Sequence, residues 1–148
     1  MTATTLAVLF DSREQRPLEP LPGVTMVKAT LDAGDYTTDR LEGIAVIERK
    51  SVDDFASSIT RDRERLEDEI RRLRDYRFRC IVVEGDIGDV WRLHRIHPHS
   101  VIGTCASFFA RADCPVLFAG TRAAAGRLIF GILRRWEERV AAEGGRDA

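Results

Sequence analysis

The segment Ile44–Lys50, IAVIERK, constrains the chain more than any other stretch. It is apolar until its last three residues, Glu48, Arg49 and Lys50. A short apolar run bounded by polar residues reads as a buried strand. Side chains alternate along a strand, so Glu48 and Lys50 share one face with Ile44 and Val46, while Arg49 points to the other. A carboxylate and an ammonium at the carboxyl end of a buried strand are costly to desolvate. They become reasonable where a divalent cation and a phosphate complete the site.

The rest of the chain supplies layers for such a strand. Leu6–Phe10, Val24–Leu31, Arg79–Glu84 and Pro115–Ala119 read as further strands, and residues 11–23 hold three of the five prolines and read as a loop. Ser51 reads as the N-cap of a helix from Val52 to Tyr76, broken near Thr60–Asp62, with Asp54 in capping-box position. A short helix around Val90–Leu93, a helix from His97-Pro98 to Ala112 and a last helix from Thr121 to Ala142 follow, ending in a frayed GGRDA. Strands interleaved with helices imply an α/β sandwich, its first three strands forming a meander.

A chain of 148 residues with 44% hydrophobic and 32% charged residues is one domain's worth of globular protein, the core running from about residue 6 to 142. No apolar run reaches the ~20 residues of a membrane span, since Arg127 interrupts the best candidate, Ala123–Leu133. The start MTATTLAVLF lacks the basic region and long apolar core of a secretory signal. Cys80, Cys105 and Cys114 lack metal or disulfide spacing and read as reduced thiols in a cytoplasmic protein. A net charge of −1 advertises no global basic field, and of 23 basic residues only Lys28 and Lys50 are lysine. An arginine stays protonated, whereas a lysine can be tuned toward general-base work, so Lys50 stands out at the strand end.

Asp35, thirteen residues before Glu48, can sit across from it in the meander, and together they would cradle Mg²⁺ through hard oxygens. Alone, E-x-K is also an ordinary solvated ion pair. The longer string is more specific. Gly34-Asp35-Tyr36, Glu48-Arg49-Lys50 with Asp54, Ser58-Ile59, and Asp11-Ser12-Arg13-Glu14 at the first strand's end resemble the GDY…ERKxxxD…SI and DxRE elements of the XPF-type structure-specific endonucleases. RCIVVEGD and HPHSVIGTCASFFARADCPVLFAGT resemble the second half of the same nuclease domain. The likeness spans residues 6 to 140 and is greatest to the nuclease part of the archaeal helicase-nuclease proteins.

The resemblance implies a restriction-endonuclease-like core, a central mixed sheet flanked by helices. It implies Mg²⁺- or Mn²⁺-dependent hydrolysis of DNA phosphodiesters, at branched, flap or fork structures in repair or recombination. Carried over by position, Asp35 and Glu48 are metal ligands, Asp11 or Glu14 contributes from the first strand, Lys50 is the catalytic lysine, and Arg49 and Asp54 support the site. Asp54 reads equally as a helix cap, Arg49 as a buried structural partner and Glu14 as a solvated loop charge. The DNA-binding candidates are Arg13, Arg61, Arg63 and Arg65. Family members carry S-I-x-x-G-R-L-x-x-Q where this chain has SSITRDRERLEDE, so either Arg63 or Arg65 matches the family arginine and Glu69 stands for Gln.

Residues 61–79 hold eight arginines against six acids, a solvated face in which some arginines line a phosphate track. The three histidines, 94, 97 and 99, lack ligand spacing and read as structural or solvated. Glu84-Gly85-Asp86 follows a strand and could lie near the site, although a loop acid is the safer reading. On the last helix Ala125, Leu128, Ile129, Ile132, Leu133, Trp136 and Val140 form a core stripe, leaving Phe130 off it and exposed. The resembled family dimerises through its last two helices, which makes Phe108, Phe109 and Phe130 interface candidates in a homodimer or heterodimer. A two-fold dimer would offset the helix-hairpin-helix modules of relatives, of which no glycine pattern appears after residue 121. The alternative function is a non-catalytic DNA-binding or dimerisation partner of an active subunit. Such partners lose the GD and ERK acids, which this chain keeps.

Overall fold

The structure, a computed structural model, describes residues 4–146. Six strands form one sheet: β1 (Leu6–Asp11), β2 (Val24–Ala29), β3 (Tyr36–Thr37), β4 (Ala45–Lys50), β5 (Phe78–Val83) and β6 (Val116–Phe118), in the spatial order β2-β1-β3-β4-β5-β6. Five helices flank it: α1 (Val52–Ile59), α2 (Arg63–Arg72), α3 (Ile87–His94), α4 (Pro98–Ala112) and α5 (Arg122–Arg146). The sheet is mixed. β3 pairs antiparallel with β1 and β4, whereas β4, β5 and β6 run parallel, with Lys50 opposite Val83.

The expected meander of the first three strands is corrected. β1 and β2 are parallel, Leu6 lying opposite Val24, so β2 is an edge strand rather than a hairpin partner. The twelve residues between them allow this, because a parallel neighbour needs a crossover of about that length. The crossover also covers the sheet: Leu18 is buried, and its N–H donates to the Tyr36 hydroxyl at 3.0 Å. β3 was not foreseen as a strand, since two residues carry no readable period.

The long charged helix breaks where expected. Ser51 caps α1 by accepting the Asp54 N–H at 3.1 Å, and Thr60 ends the helix with its hydroxyl bonded to the Ala56 carbonyl. The turn at Thr60–Asp62 lets α2 begin afresh beside the end of β4. At the other end of the chain Thr121 accepts the Ala124 N–H at 3.0 Å and opens α5. That helix continues to Arg146, beyond the Ala142 expected, so the first three residues of the GGRDA segment are helical and its last two lie outside the described residues.

Alternation along the strands splits the core into two layers. Ala45 and Ile47 pack with Val8, Cys80 and Val82 against α5, while Ile81 and Val83 pack with Phe55, Leu66, Val90 and Val101 against α1 to α4. Phe130 is the second correction: it is 4% exposed and belongs to the α5 layer. The fully buried positions of α5 are Ala125, Ile129 and Leu133, and Phe130 extends that stripe sideways, against Leu21 and Val24. A helix lying flat on an open sheet buries an arc wider than a narrow seam, and the proline-rich crossover closes over its flank. Phe108 is also buried, in the opposite layer; of the three phenylalanines only Phe109 is exposed, at 62%.

Candidate active site

Four pieces of chain meet at the carboxyl end of β4. Gly34 holds a left-handed backbone, φ +75°, directly before Asp35, and a Cβ there would collide with the Val46 side chain. Only glycine allows this close approach, and it places Asp35 against β4. The Asp35 N–H donates to the Ile47 carbonyl at 3.0 Å, and the Asp35 carbonyl accepts the Asp11 N–H at 2.9 Å. Its carboxylate Oδ2 accepts the Arg49 backbone N–H at 2.8 Å. Asp35 is thereby locked between β1 and β4.

On the same side of β4 lies Glu48, followed by Lys50. The Lys50 Nζ sits 3.7 Å from a Glu48 oxygen and 3.7 Å from a Glu69 oxygen of α2. These groups line an open cavity of about 340 Å³ together with Asp11, Glu14, Asp54 and Arg65. A second hollow of about 210 Å³ adjoins it and shares Asp35 and Glu48. Asp54 does not close the expected capping box with its carboxylate. Its backbone serves the Ser51 cap, and its exposed carboxylate, without a hydrogen-bond partner among the described residues, belongs to the cavity wall.

Electrostatics single out Asp35 and Glu48. Burial pushes the Asp35 carboxyl up to about 6, against the pull of the Arg49 N–H. Burial, and then the neighbouring Asp35 charge, push Glu48 up to about 8, more than Lys50 can offset. Asp11 differs. Burial would raise it, but hydrogen bonds from Arg13 and the Leu31 N–H outweigh that and hold it below the ordinary carboxylate range. Two under-neutralised carboxylates side by side in a cleft are the chemistry that a hard divalent cation satisfies. Among the described residues no three His, Cys, Asp or Glu side chains form a closed cage. Magnesium does not require one, because it usually keeps waters and takes one or two carboxylates plus substrate phosphate.

The opposite face of β4 carries an ion network. Both Glu14 oxygens are bound by Arg49, at 2.6 and 3.1 Å, so this candidate ligand is committed to a guanidinium. Arg49 Nη1 reaches Glu84 at 2.7 Å, and Glu84 in turn holds Arg122 at 3.1 Å. Arg122 continues to the Pro17 carbonyl at 2.8 Å, in the crossover. The network runs from the cavity wall, where Glu14 and Arg49 lie, to the crossover and α5, and it fixes Arg49. Glu84, which follows a strand and could lie near the site on sequence grounds, thus joins it through Arg49 rather than standing as a plain loop acid, whereas Arg122 carries no such signal in the sequence.

The structure also separates the arginine candidates. Arg65 lines both hollows and pairs with Glu69 at 3.5 Å. Arg63 turns away, its Nη1 donating to the Thr104 hydroxyl at 2.8 Å with its guanidinium over the Phe108 ring. Arg13 borders the cavity, tied to Asp11 at 2.8 Å, and Arg61 is exposed, bonded to Ser57. Glu69, the acid in place of the family glutamine, is inside the site. The histidines stay outside it: His94 meets Asp53 at 2.8 Å, and His97 caps α4 by accepting the His99 N–H. The three cysteines are free, and no helix among the described residues is long and apolar enough to cross a membrane.

Solved structures share this fold. The chain superposes on XPF from Aeropyrum pernix with a TM-score of 0.72 and 27% identity, covering 86% of this chain and 60% of that one. It superposes on the same protein in complex with DNA with a TM-score of 0.74 and 26% identity, over 90% of this chain and 66% of that one. These neighbours are XPF nuclease domains of restriction-endonuclease-like fold, and the mixed sheet with flanking helices has that architecture. Among curated proteins, the 3'-flap repair endonuclease Xpf of Saccharolobus solfataricus is 38% identical over 73 residues, 48% of this chain. The match spans only 29% of that relative's length. Residues 10–132 match the ERCC4 domain, a span running from the end of β1 into α5, and the chain belongs to that family.

Proposed function

We propose that this chain is a metal-dependent DNA endonuclease acting at branched, flapped or forked DNA in repair or recombination, its 148 residues forming a single nuclease domain. One observation carries the reading: Asp35, Glu48 and Lys50 converge at the carboxyl end of β4 with two half-buried carboxylates short of positive charge. The names of the relatives, a flap endonuclease and an XPF seen with DNA, agree with it.

Asp35 and Glu48 would hold Mg²⁺ or Mn²⁺. The ion, when bound, polarises the scissile phosphoryl oxygen and acidifies a water. The chain's own residues do the rest. Lys50 Nζ, held between Glu48 and Glu69, orients the attacking water and offsets charge that develops on the phosphorane oxygens. Arg49, anchored by Glu14 and Glu84, presents its backbone N–H to Asp35 and keeps one of its oxygens turned to the cavity. Arg65, at the mouth, meets the DNA backbone, with Arg13 on the other rim. The exposed Phe109 and Ile102 on α4 mark the surface for a dimer partner.

The test is cleavage of flap, fork, four-way junction, duplex and single-stranded DNA with and without Mn²⁺. Nicking should require the metal, favour a branched substrate, and vanish in Asp35→Ala, Glu48→Ala and Lys50→Ala. Unchanged cleavage in those variants would refute the site, and no cleavage of any substrate by the wild type would leave the chain a non-catalytic partner.

A further inference from the structure

α2 is a ridge between two clefts of different character. Arg65, Leu66 and Glu69 face the catalytic cavity. Arg63, Glu67, Arg71 and Arg74 face a second groove of about 370 Å³ between α2 and α4, completed by Arg79 and Arg111. Five arginines and one glutamate thus surround one hollow in a chain whose net charge is −1. The two arginine roles there are distinct. Arg79 is buried and spends its donors on the Arg74 and Tyr76 carbonyls, each at 2.8 Å, and on the Ala112 carbonyl at 2.7 Å. It clamps the ends of α2 and α4 and fixes the width of the groove. The side chains of Arg74 and Arg111, exposed on opposite walls, have no ion-pair or hydrogen-bond partner among the described residues. Arg63 is held in place by Thr104 and Phe108.

We infer that this groove binds the phosphate backbone of a second DNA arm, the strand that diverges from the cleaved one at a branch. The inference rests on the nuclease reading of the neighbouring cavity. Guanidinium forks match phosphate oxygens bidentately, and a fixed groove with free arginines on both walls is preorganised for a chain of phosphates. The spacing selects a diverging strand. The clefts lie one helix width apart, about 10–12 Å. An arm leaving the cleavage position spans that distance within a few nucleotides.

The test is binding of the full chain, in EDTA so that nothing is cut, to a labelled fork with one single-stranded arm and to a blunt duplex of equal length. Arg74→Glu/Arg111→Glu should weaken fork binding at least tenfold, leave duplex binding nearly unchanged, and flatten the salt dependence of fork binding by about one to two in log–log slope. Arg74→Lys/Arg111→Lys should keep most of the affinity. Both residues are exposed, so thermal unfolding should match the wild type. Unaltered fork affinity and slope would overturn the proposal, as would equal loss on fork and duplex. Preferential capture of a polyglutamate peptide over the arm oligonucleotide would also overturn it, assigning the groove to an acidic protein. A wild type that binds the fork through these arginines yet cuts no DNA in Mn²⁺ would support the groove and refute the nuclease reading alone.

Discussion

Replacing Glu48 by Gln should stabilise the metal-free protein while abolishing its proposed chemistry. A carboxyl moved from 4.5 to about 8 binds its proton more tightly in the folded than in the unfolded state. Folding stability therefore falls as pH rises from about 4.5 to about 8 and is flat above. Taken whole, that displacement corresponds to about 5 kcal/mol at alkaline pH. The Glu48 side chain keeps 17% of its surface in solvent, and water entering the cavity reduces the value to about 2–3 kcal/mol. Glutamine keeps the shape without the charge, and Lys50 retains Glu69. In EDTA the variant should match the wild type near pH 5 and exceed its Tm by roughly 5–10 °C at pH 8. Mn²⁺ at pH 8 should raise the wild-type Tm and close most of the gap, since it satisfies the same charge. Thermal unfolding across pH 5–8, with and without Mn²⁺, measures each part. An E48Q protein no more stable than wild type at pH 8 would refute an uncompensated buried charge at this position.

Three further outcomes follow from particular contacts. Gly34→Ala forces a side chain into Val46 from a left-handed backbone, so urea unfolding should show a loss of about 1–3 kcal/mol, with Asp35 displaced and cleavage reduced more than stability explains. Phe130→Ala should cost about 3–5 kcal/mol by opening a core cavity without changing the oligomeric mass, whereas Phe109→Glu should leave monomer stability within about 0.5 kcal/mol and lower the sedimentation mass if α4 carries the partner. Arg65→Ala should impair DNA cleavage while leaving Tm unchanged, and Arg63→Ala should lower Tm through the lost Thr104 bond and Phe108 contact; the reverse pattern would contradict the placement of the two arginines.

What the sequence disclosed and what it hid divide along sequence separation. The faces of β4 were legible because alternation is local: Glu48 and Lys50 on one side and Arg49 on the other follow from period two alone. So was the break after Ile59, where cap residues bracket a change of helix. The parallel pairing of β1 with β2 was not, because the proline-rich crossover has the same composition as a loop leading to a hairpin. The choice between Arg63 and Arg65 was also hidden, since two inserted residues shift helical phase by more than half a turn and only α4, forty residues on, shows which arginine is claimed elsewhere. Arg49 joins both kinds. Its direction was readable, but its partners Glu14 and Glu84 each lie 35 residues away, and neither carries a local signal that it will close on the same guanidinium. That separation has a functional side. One residue gives its backbone N–H to Asp35 in the cavity and its side chain to the ion network, so the crossover, the start of α5 and the proposed metal ligand are tied to a single strand position. Arginine suits this position better than lysine, because two carboxylates approaching from the segments that follow β1 and β5 need a planar, multidentate cation. Lysine suits the next position on the same face as Glu48, where a single mobile ammonium reaches between two acids and, in the proposed reaction, a phosphate. The order Glu-Arg-Lys thus assigns each cation to the face whose geometry it fits.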